Sequence, residues 1–270
     1  MSENDHLPAE VLLYETEFVD GESVMVYEHN EGWHSAAYTR EGRHFDLVFN
    51  YTKRFNLIFE HLNEDAEILM IGGGAYSYPK YVISHYPGAS ISVVEIDPTA
   101  VDSAMSFFYL DELMEQYHPD TDHRLEFITD DGRHYMEHNT HKYDAVIFDA
   151  YDGFYPVFEL LTLEAMKLMH AGIKENGIFA ANLPGFVDLQ KSDFLLNVLY
   201  TAQQVFRHVL LVHIKYTIPS SRYFFDRKQS NLGITGIQIV HKDACMVLFF
   251  LKLNIEPVGY TFVTLVFSVK

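Results

Sequence analysis

From Glu67 onward, short runs of apolar residues alternate with amphipathic stretches, and that alternation restricts the chain to a parallel sheet joined by crossover helices. The expected strands are Ile68 to Ile71, Ile91 to Ile96, Leu125 to Ile128, Ala145 to Phe148 and Gly177 to Ala181. Helices are expected near Pro79 to His85, Pro98 to Tyr109, Gly132 to His138 and Thr162 to His170, then over Val187 to Val205, with a strand at Val209 to Lys215. In the tail, Gly236 to Val240, Met246 to Leu253 and Tyr260 to Val269 favour strands. Ahead of the sheet, Val11 to Tyr14 and Val24 to Tyr27 flank the turn former Asp20-Gly21-Glu22 and predict a hairpin. A second extended pair is expected at Trp33 to Tyr38 and Arg43 to Val48, and helical spacing of apolar residues over Leu47 to Leu62 predicts a helix. The division that follows is an N-terminal β-hairpin element at 1–46 and an α/β domain at 47–270.

A chain of 270 residues with 48% hydrophobic content is long enough for such a core. Its 19 Lys and Arg against 38 Asp and Glu give a formal charge of −19, which repels polyanions and argues against a nucleic-acid partner. The same field concentrates cationic small molecules, or serves solubility alone. A single cysteine, Cys245, excludes an intramolecular disulfide and a Cys-rich metal site and fits a reducing compartment. Residues Met1 to Glu10 lack the basic start and apolar core of a secretory signal, so a cytoplasmic location is expected. The apolar stretch from Met246 to Val269 is broken by Lys252, Asn254, Glu256 and Pro257, short of the ~18–20 residues that cross a bilayer, so no membrane partner is expected.

Ligands of open parallel sheets bind beyond the carboxyl ends of the strands. There the first strand runs into Gly72-Gly73-Gly74, where missing side chains allow a sharp turn and close approach of a ligand, or a tight turn alone. The next strand ends at Glu95, roughly 20 residues on, where a carboxylate can accept from both hydroxyls of a ribose. Asp97, followed by Pro98, reads as a helix cap. After the third strand comes Asp130-Asp131-Gly132: one aspartate caps the following helix, and Asp131 is favoured as acceptor for an adenine amine. No second spaced glycine completes a dinucleotide fingerprint, so an adenosyl thioether or sulfonium fits better than a pyrophosphate.

The fourth strand ends in Asp149-Ala150-Tyr151-Asp152-Gly153, two carboxylates at the mouth of the same cleft. An alkylamine, with a pKa near ~10, binds as a cation and must lose a proton before it attacks carbon. One carboxylate can hold the ammonium while the other takes the proton, so Asp149 and Asp152 are the catalytic candidates, against a reading as strand end and plain turn. Tyr76 and Tyr78 line the pocket or cover the sheet, and Tyr151 and Tyr155 pack or face a cation. His134 and His138 stand four apart on a helix without a third ligand of recognisable spacing, so no metal is expected.

These motifs, in this order, resemble the spermidine synthase family of polyamine aminopropyltransferases, which share the class I S-adenosylmethionine-dependent methyltransferase fold, a Rossmann-like sheet. The resemblance covers about two thirds of the chain, from Leu13-Tyr14-Glu15 and Val26-Tyr27-Glu28 through Ile71-Gly72-Gly73-Gly74, Val94-Glu95-Ile96-Asp97, Asp131-Gly132, Tyr143-Asp144 and Asp149-Ala150-Tyr151-Asp152 to Gly177-Ile178-Phe179. It implies a Rossmann-like nucleoside-binding transferase domain after a small N-terminal β element. It further implies that Gly72, Gly73, Gly74, Glu95, Asp131 and Gly132 bind decarboxylated S-adenosylmethionine as co-substrate, that Asp149 is the base, and that Asp152 belongs to the loop that meets the amine. Tyr76 and Tyr151 are candidate substrate-lining residues, a cationic amine such as putrescine is the expected partner, and pairing into a homodimer is implied. The family carries an Asp directly after its three glycines, and this chain has Ala75-Tyr76-Ser77-Tyr78. Two alternatives remain open on that departure: a methyltransferase using intact S-adenosylmethionine, and a catalytically silent nucleoside-binding homologue.

Overall fold

The computed structural model describes residues 11–18, 20–29, 32–153, 155–185, 193–206, 208–215 and 261–268. Strands β1 (Val11–Glu17), β2 (Ser23–His29) and β3 (Gly32–Tyr38) form an antiparallel sheet in that order. The β1–β2 turn closes as expected: Gly21 has φ +80°, a conformation that suits a residue without a Cβ, and the Glu22 amide donates to Asp20 Oδ1 at 3.1 Å. Of the second expected pair only the first member is a strand. Residues 43–48 form turns instead, because Arg43 Nε bonds Asp46 Oδ2 at 2.8 Å while its guanidinium lies 3.7 Å over the Tyr38 ring.

Helix α1 (Asn50–Phe55) runs directly into a 3-10 turn at Asn56–Glu60, filling the expected helical segment. The α/β unit follows as β4 (Glu67–Ile71), α2 (Ser77–His85), β5 (Ser90–Glu95), α3 (Ala100–Phe107), α4 (Leu110–Tyr117), β6 (Leu125–Thr129), α5 (Gly132–His138) and β7 (Tyr143–Phe148). A two-stranded arm, β8 (Tyr151–Asp152) with β9 (Tyr155–Pro156), precedes α6 (Leu163–Ala171), β10 (Ile173–Gly185), α7 (Asp193–Gln203), β11 (His208–Lys215) and β12 (Thr261–Ser268). The main sheet has the order β11-β12-β10-β7-β4-β5-β6, with β12 antiparallel to both neighbours and β10, β7, β4, β5 and β6 parallel. This is the expected class I methyltransferase-like α/β architecture with a small N-terminal β element. Residues Ile68, Leu69, Met70 and Ile71 are all buried, as a strand covered on both faces by helices requires.

Two departures have local causes. The expected helix at Pro98 to Tyr109 starts at Ala100, because Asp97 Oδ1 accepts from the amide and hydroxyl of Thr99 and builds a turn ahead of it. Helix α4 was not anticipated, although Leu110, Leu113, Met114 and Tyr117 carry helical spacing. Tyr109, at φ +60°, separates it from α3. The expected strand at Tyr260 to Val269 matches β12, whereas those at Gly236 to Val240 and Met246 to Leu253, with Cys245, lie outside the described residues. Among the described residues no helix is long and apolar enough to cross a membrane. The N-terminal sheet is continuous with the main core: Val24, Val26, Ala36 and Tyr38 bury into the same cluster as Ile68 and Phe148.

Behind the loop after β4, Lys80 on α2 is buried, and its Nζ donates to the Phe108 carbonyl between α3 and α4. Desolvation pushes this ammonium down to about 7, against the pull of Glu112 and Asp111. Between that value and the ordinary lysine value the folded state binds fewer protons than the unfolded state, so stability rises with pH. Denaturant unfolding is expected to show a gain of about 1–2 kcal/mol from pH 7 to pH 9, and Lys80→Met is expected to remove most of that gain. A variant that keeps the slope would place its origin elsewhere.

Candidate active site

A cleft of about 410 Å³ opens at the carboxyl ends of β4, β5 and β7, with β3 and α1 on its other side. Its floor depends on one close approach. Gly72 has φ +93°, and a Cβ there would lie 2.7 Å from the carbonyl carbon of Asp149 and 2.9 Å from Ala150 Cα. Strand tips β4 and β7 therefore touch backbone to backbone, and the Gly72 amide is tied to Val94 on the other neighbour at 2.9 Å. Gly73 is closed in by Val93 and Tyr76, and Gly74 by Ser35 Oγ from β3.

Glu95 faces this loop. Its Oε2 accepts from the amides of Gly73 at 2.7 Å and Gly74 at 3.1 Å, and its Oε1 accepts from Asp97 at 3.0 Å. A carboxylate offers about four acceptor positions, so this arrangement leaves about one open, and a ribose bound through both hydroxyls would displace an amide. At the next tip, Asp131 itself caps α5, its Oδ1 accepting from the His134 amide at 2.8 Å. Of the two aspartates, one of which is expected to cap this helix, Asp131 is the cap, and a cap occupies one oxygen of two. Asp130 instead bonds His134 Nδ1 at 2.9 Å, and this bond holds the Asp130 carboxyl below its usual range. Gly132 lets α5 come close, since a Cβ would meet Ile71 at 2.6 Å.

Asp149, one residue beyond β7, is recessed in the floor of the cleft. Burial pushes its carboxyl up to about 7, although hydrogen bonds from Asn182 and Tyr51 act in the opposite direction. Asn182 Nδ2 donates to Asp149 Oδ1 at 3.0 Å. Asp152 stands exposed on the rim, on the β8–β9 arm, and Tyr151 lines the cleft with its hydroxyl on the Asn182 carbonyl at 3.0 Å. Tyr76 does not line the cleft. At φ +57° it turns under the glycines and packs edge-on to Phe127, ring centroids 5.2 Å apart, while Tyr78 contributes to the wall. Tyr155 is exposed away from the cleft lining. The His134 and His138 rings lie against each other at a tilt of 40°, centroids 4.3 Å apart, and no group of three potential metal ligands occurs among the described residues.

Trp33, Ser35, Tyr51, Asn182, Ile96 and Leu160 also line the cleft and are not among the site residues expected from the sequence. Two of them carried a signal. Ile96 is an apolar residue at a strand end, 67% exposed, and Asn182 is a lone amide in an otherwise apolar run.

A family model for the spermine/spermidine synthase domain matches residues 55–230, well over half of the chain. The chain belongs to the spermine/spermidine synthase family. Among curated relatives, a polyamine aminopropyltransferase of Korarchaeum cryptofilum is 29% identical over 124 residues, 46% of this chain and 37% of the relative. An N-terminal histidine N-methyltransferase of Emericella nidulans is 30% identical over 126 residues, 45% of this chain and 20% of that protein. The chain thus spans well under half the length of these two relatives. In structure it is similar to a probable spermidine synthase from Corynebacterium glutamicum, with TM-score 0.62, 20% identity, and coverage of 83% of this chain and 82% of the other. Membership of the spermine/spermidine synthase family and the methyltransferase-like fold agree with the order of motifs along this sequence.

The recessed carboxylate has a thermodynamic signature independent of turnover. With a folded value near 7 against an ordinary 3.8, Asp149 holds its proton longer when folded, so its destabilising effect grows as pH rises from about 4 to 7 and is full above 7. Asp149→Asn is expected to stabilise the fold by about 2 kcal/mol at pH 8 and to be neutral at pH 4, read from denaturant midpoints at both values. An equal effect at both pH values would contradict the assignment.

Proposed function

We propose that this chain is a spermidine-synthase-like transferase that moves an aminopropyl group from decarboxylated S-adenosylmethionine to an amine such as putrescine. The observation that carries the reading is Asp149: a carboxylate near neutrality, fixed against the glycine loop at the floor of the cleft. A base with that affinity can take a proton from an ammonium held beside it and remain ionised at working pH. In the reaction, Asp149 accepts one proton from the bound R–NH3⁺, and the freed lone pair attacks the aminopropyl carbon next to the sulfonium. The C–S bond breaks with its electron pair going to sulfur, so methylthioadenosine leaves and the new secondary amine carries the positive charge. No metal or redox partner enters that balance.

The residues present fit the adenosyl part. Glu95 is assigned to the ribose, giving up a glycine amide as the hydroxyls arrive, and the second oxygen of Asp131 is assigned to the adenine amine. Ile96 and Leu160, both at the cleft, supply apolar surface for the faces of the base, which accounts for an isoleucine left in solvent. Asp152, at the rim, is assigned to the amine. A second reading, methyl transfer from intact S-adenosylmethionine, is favoured by Ala75. The position after the three glycines, where the family has an acid, is buried beside Ala37 and Phe108 and contributes nothing to the cleft lining.

Purified protein given decarboxylated S-adenosylmethionine and a panel of amines is expected to release methylthioadenosine. The rate should fall below pH ~7, where Asp149 is protonated, and drop by about 10²–10⁴-fold in Asp149→Asn. Glu95→Gln is expected to weaken methylthioadenosine binding by about 10-fold, measured by calorimetry. Absence of methylthioadenosine with every amine, combined with S-adenosylhomocysteine binding tighter than methylthioadenosine, would transfer the assignment to the methyl-transfer reading.

A further inference from the structure

We propose that Asn182, on β10, is the positioning residue for Asp149, fixing the orientation of the carboxylate that takes the acceptor's proton and favouring its ionised form. Three observations lead there. Asn182 is 3% exposed, between Ala181 and Leu183 in the run Ile178 to Leu183 of otherwise apolar buried residues, where an apolar side chain would be the cheaper occupant. Its Oδ1 is buried without a hydrogen-bond partner, so the amide carries a desolvation cost that nothing around that oxygen offsets. Its Nδ2 donates to Asp149 Oδ1 at 3.0 Å, and the reverse orientation would set a carbonyl oxygen against an acceptor-only carboxylate. A polar group kept at such a position for one bond has that bond as its purpose.

The backbone of the same residue extends the argument. The Asn182 carbonyl accepts from Tyr151, so one residue of β10 holds the carboxylate of Asp149 by its side chain and the arm bearing Asp152 by its main chain. The other titratable groups that line the cleft of Asp149 are Tyr27 on β2, His34 on β3, Tyr51 on α1, Tyr78 on α2, Glu95 and Asp97 at the end of β5, Asp130 and Asp131 at the end of β6, and Tyr151 and Asp152 on the β8–β9 arm. Of these Tyr51 bonds the carboxylate directly, and Asn182 is the uncharged donor from the opposite side of the sheet's next strand. Asn182 thereby acts through Asp149 and need not touch the substrate.

The catalytic part of this inference rests on the proposed function, so its test reads Asp149 itself. Carboxyl ¹³C NMR of full-length protein gives the titration midpoint of Asp149 in wild type, Asn182→Leu and Asn182→Asp. Loss of the donor in Asn182→Leu is expected to raise the midpoint by roughly one pH unit, and a second carboxylate in Asn182→Asp to raise it further. The low-pH limb of kcat/KM should move by the same amount while the donor KM stays constant, a split that a merely structural role would not produce. Thermal melting checks folding; should the leucine variant fail to fold, the isosteric aspartate variant carries the comparison. Midpoints that coincide with wild type in a folded variant overturn the proposal. A shifted midpoint in a protein that releases no methylthioadenosine leaves Asn182 as the residue that sets Asp149 and removes only the aminopropyl reading.

Discussion

The backbone contact between Gly72 and Asp149 sets the geometry on which the rest of the site depends. Ile71 is paired with Val94 on one side and Phe148 on the other, so Glu95 and Asp149 are each the next residue beyond a partner of Ile71. The two carboxylates consequently flank Gly72, one strand away in each direction. With adjacent strands ~4.8 Å apart, they stand about two strand spacings, or roughly 10 Å, from each other in the plane of the sheet. Any side chain at position 72 would push β7 away, so the spacing follows from a missing Cβ rather than from a designed loop.

The two carboxylates owe their different characters to what surrounds them. Glu95 accepts three backbone amides, which hold its carboxylate in place as a fixed acceptor. Asp149 sits deeper, with one amide and one phenol for partners, and desolvation dominates, so its charge is held less firmly. The two tips thereby differ in character, although both are acidic residues at the ends of parallel strands that flank β4. A cation entering the cleft of a protein of net charge −19 would lower the cost of ionising Asp149 further.

The parts of this arrangement that lie along one strand and its following turn were legible in the sequence. Continuous apolar runs gave the parallel strands, and glycines and acids at their ends gave Gly72, Glu95 and Asp149. What stayed hidden depends on contacts between segments far apart in the chain. Tyr51 and Asn182 meet Asp149 across separations that no periodicity encodes, and Ser35 reaches the Ala75 amide at 2.9 Å from a different sheet. The choice between Asp130 and Asp131 as cap was equally closed to pattern reading, because both precede the helix and only the backbone angle at Asp131 decides it. The turns at residues 43–48 were misjudged because Arg43 finds its partners, Asp46 and Tyr38, locally rather than across a strand pair.

Ala75 follows from the same geometry. Its side chain is enclosed with Ala37 and Phe108, and its amide is already satisfied by Ser35 from β3. A carboxylate at that position would be buried against these apolar neighbours, so an alanine there goes together with the way the N-terminal sheet closes over the loop. Trp33, Phe49 and Tyr51 also line the cleft, and Tyr51 bonds Asp149. The indole of Trp33 is held by Tyr14 at 2.8 Å, and Tyr14 in turn by Glu28 at 2.5 Å, so its ring is a rigid wall and its N–H is already taken. Aromatic faces attract an ammonium without ionising and without demanding a second charge at fixed distance. Trp33 on β3, with Phe49 and Tyr51, lines the same cleft as Asp149 and Asp152, which makes the N-terminal element part of the wall of that cleft rather than an appendage to it.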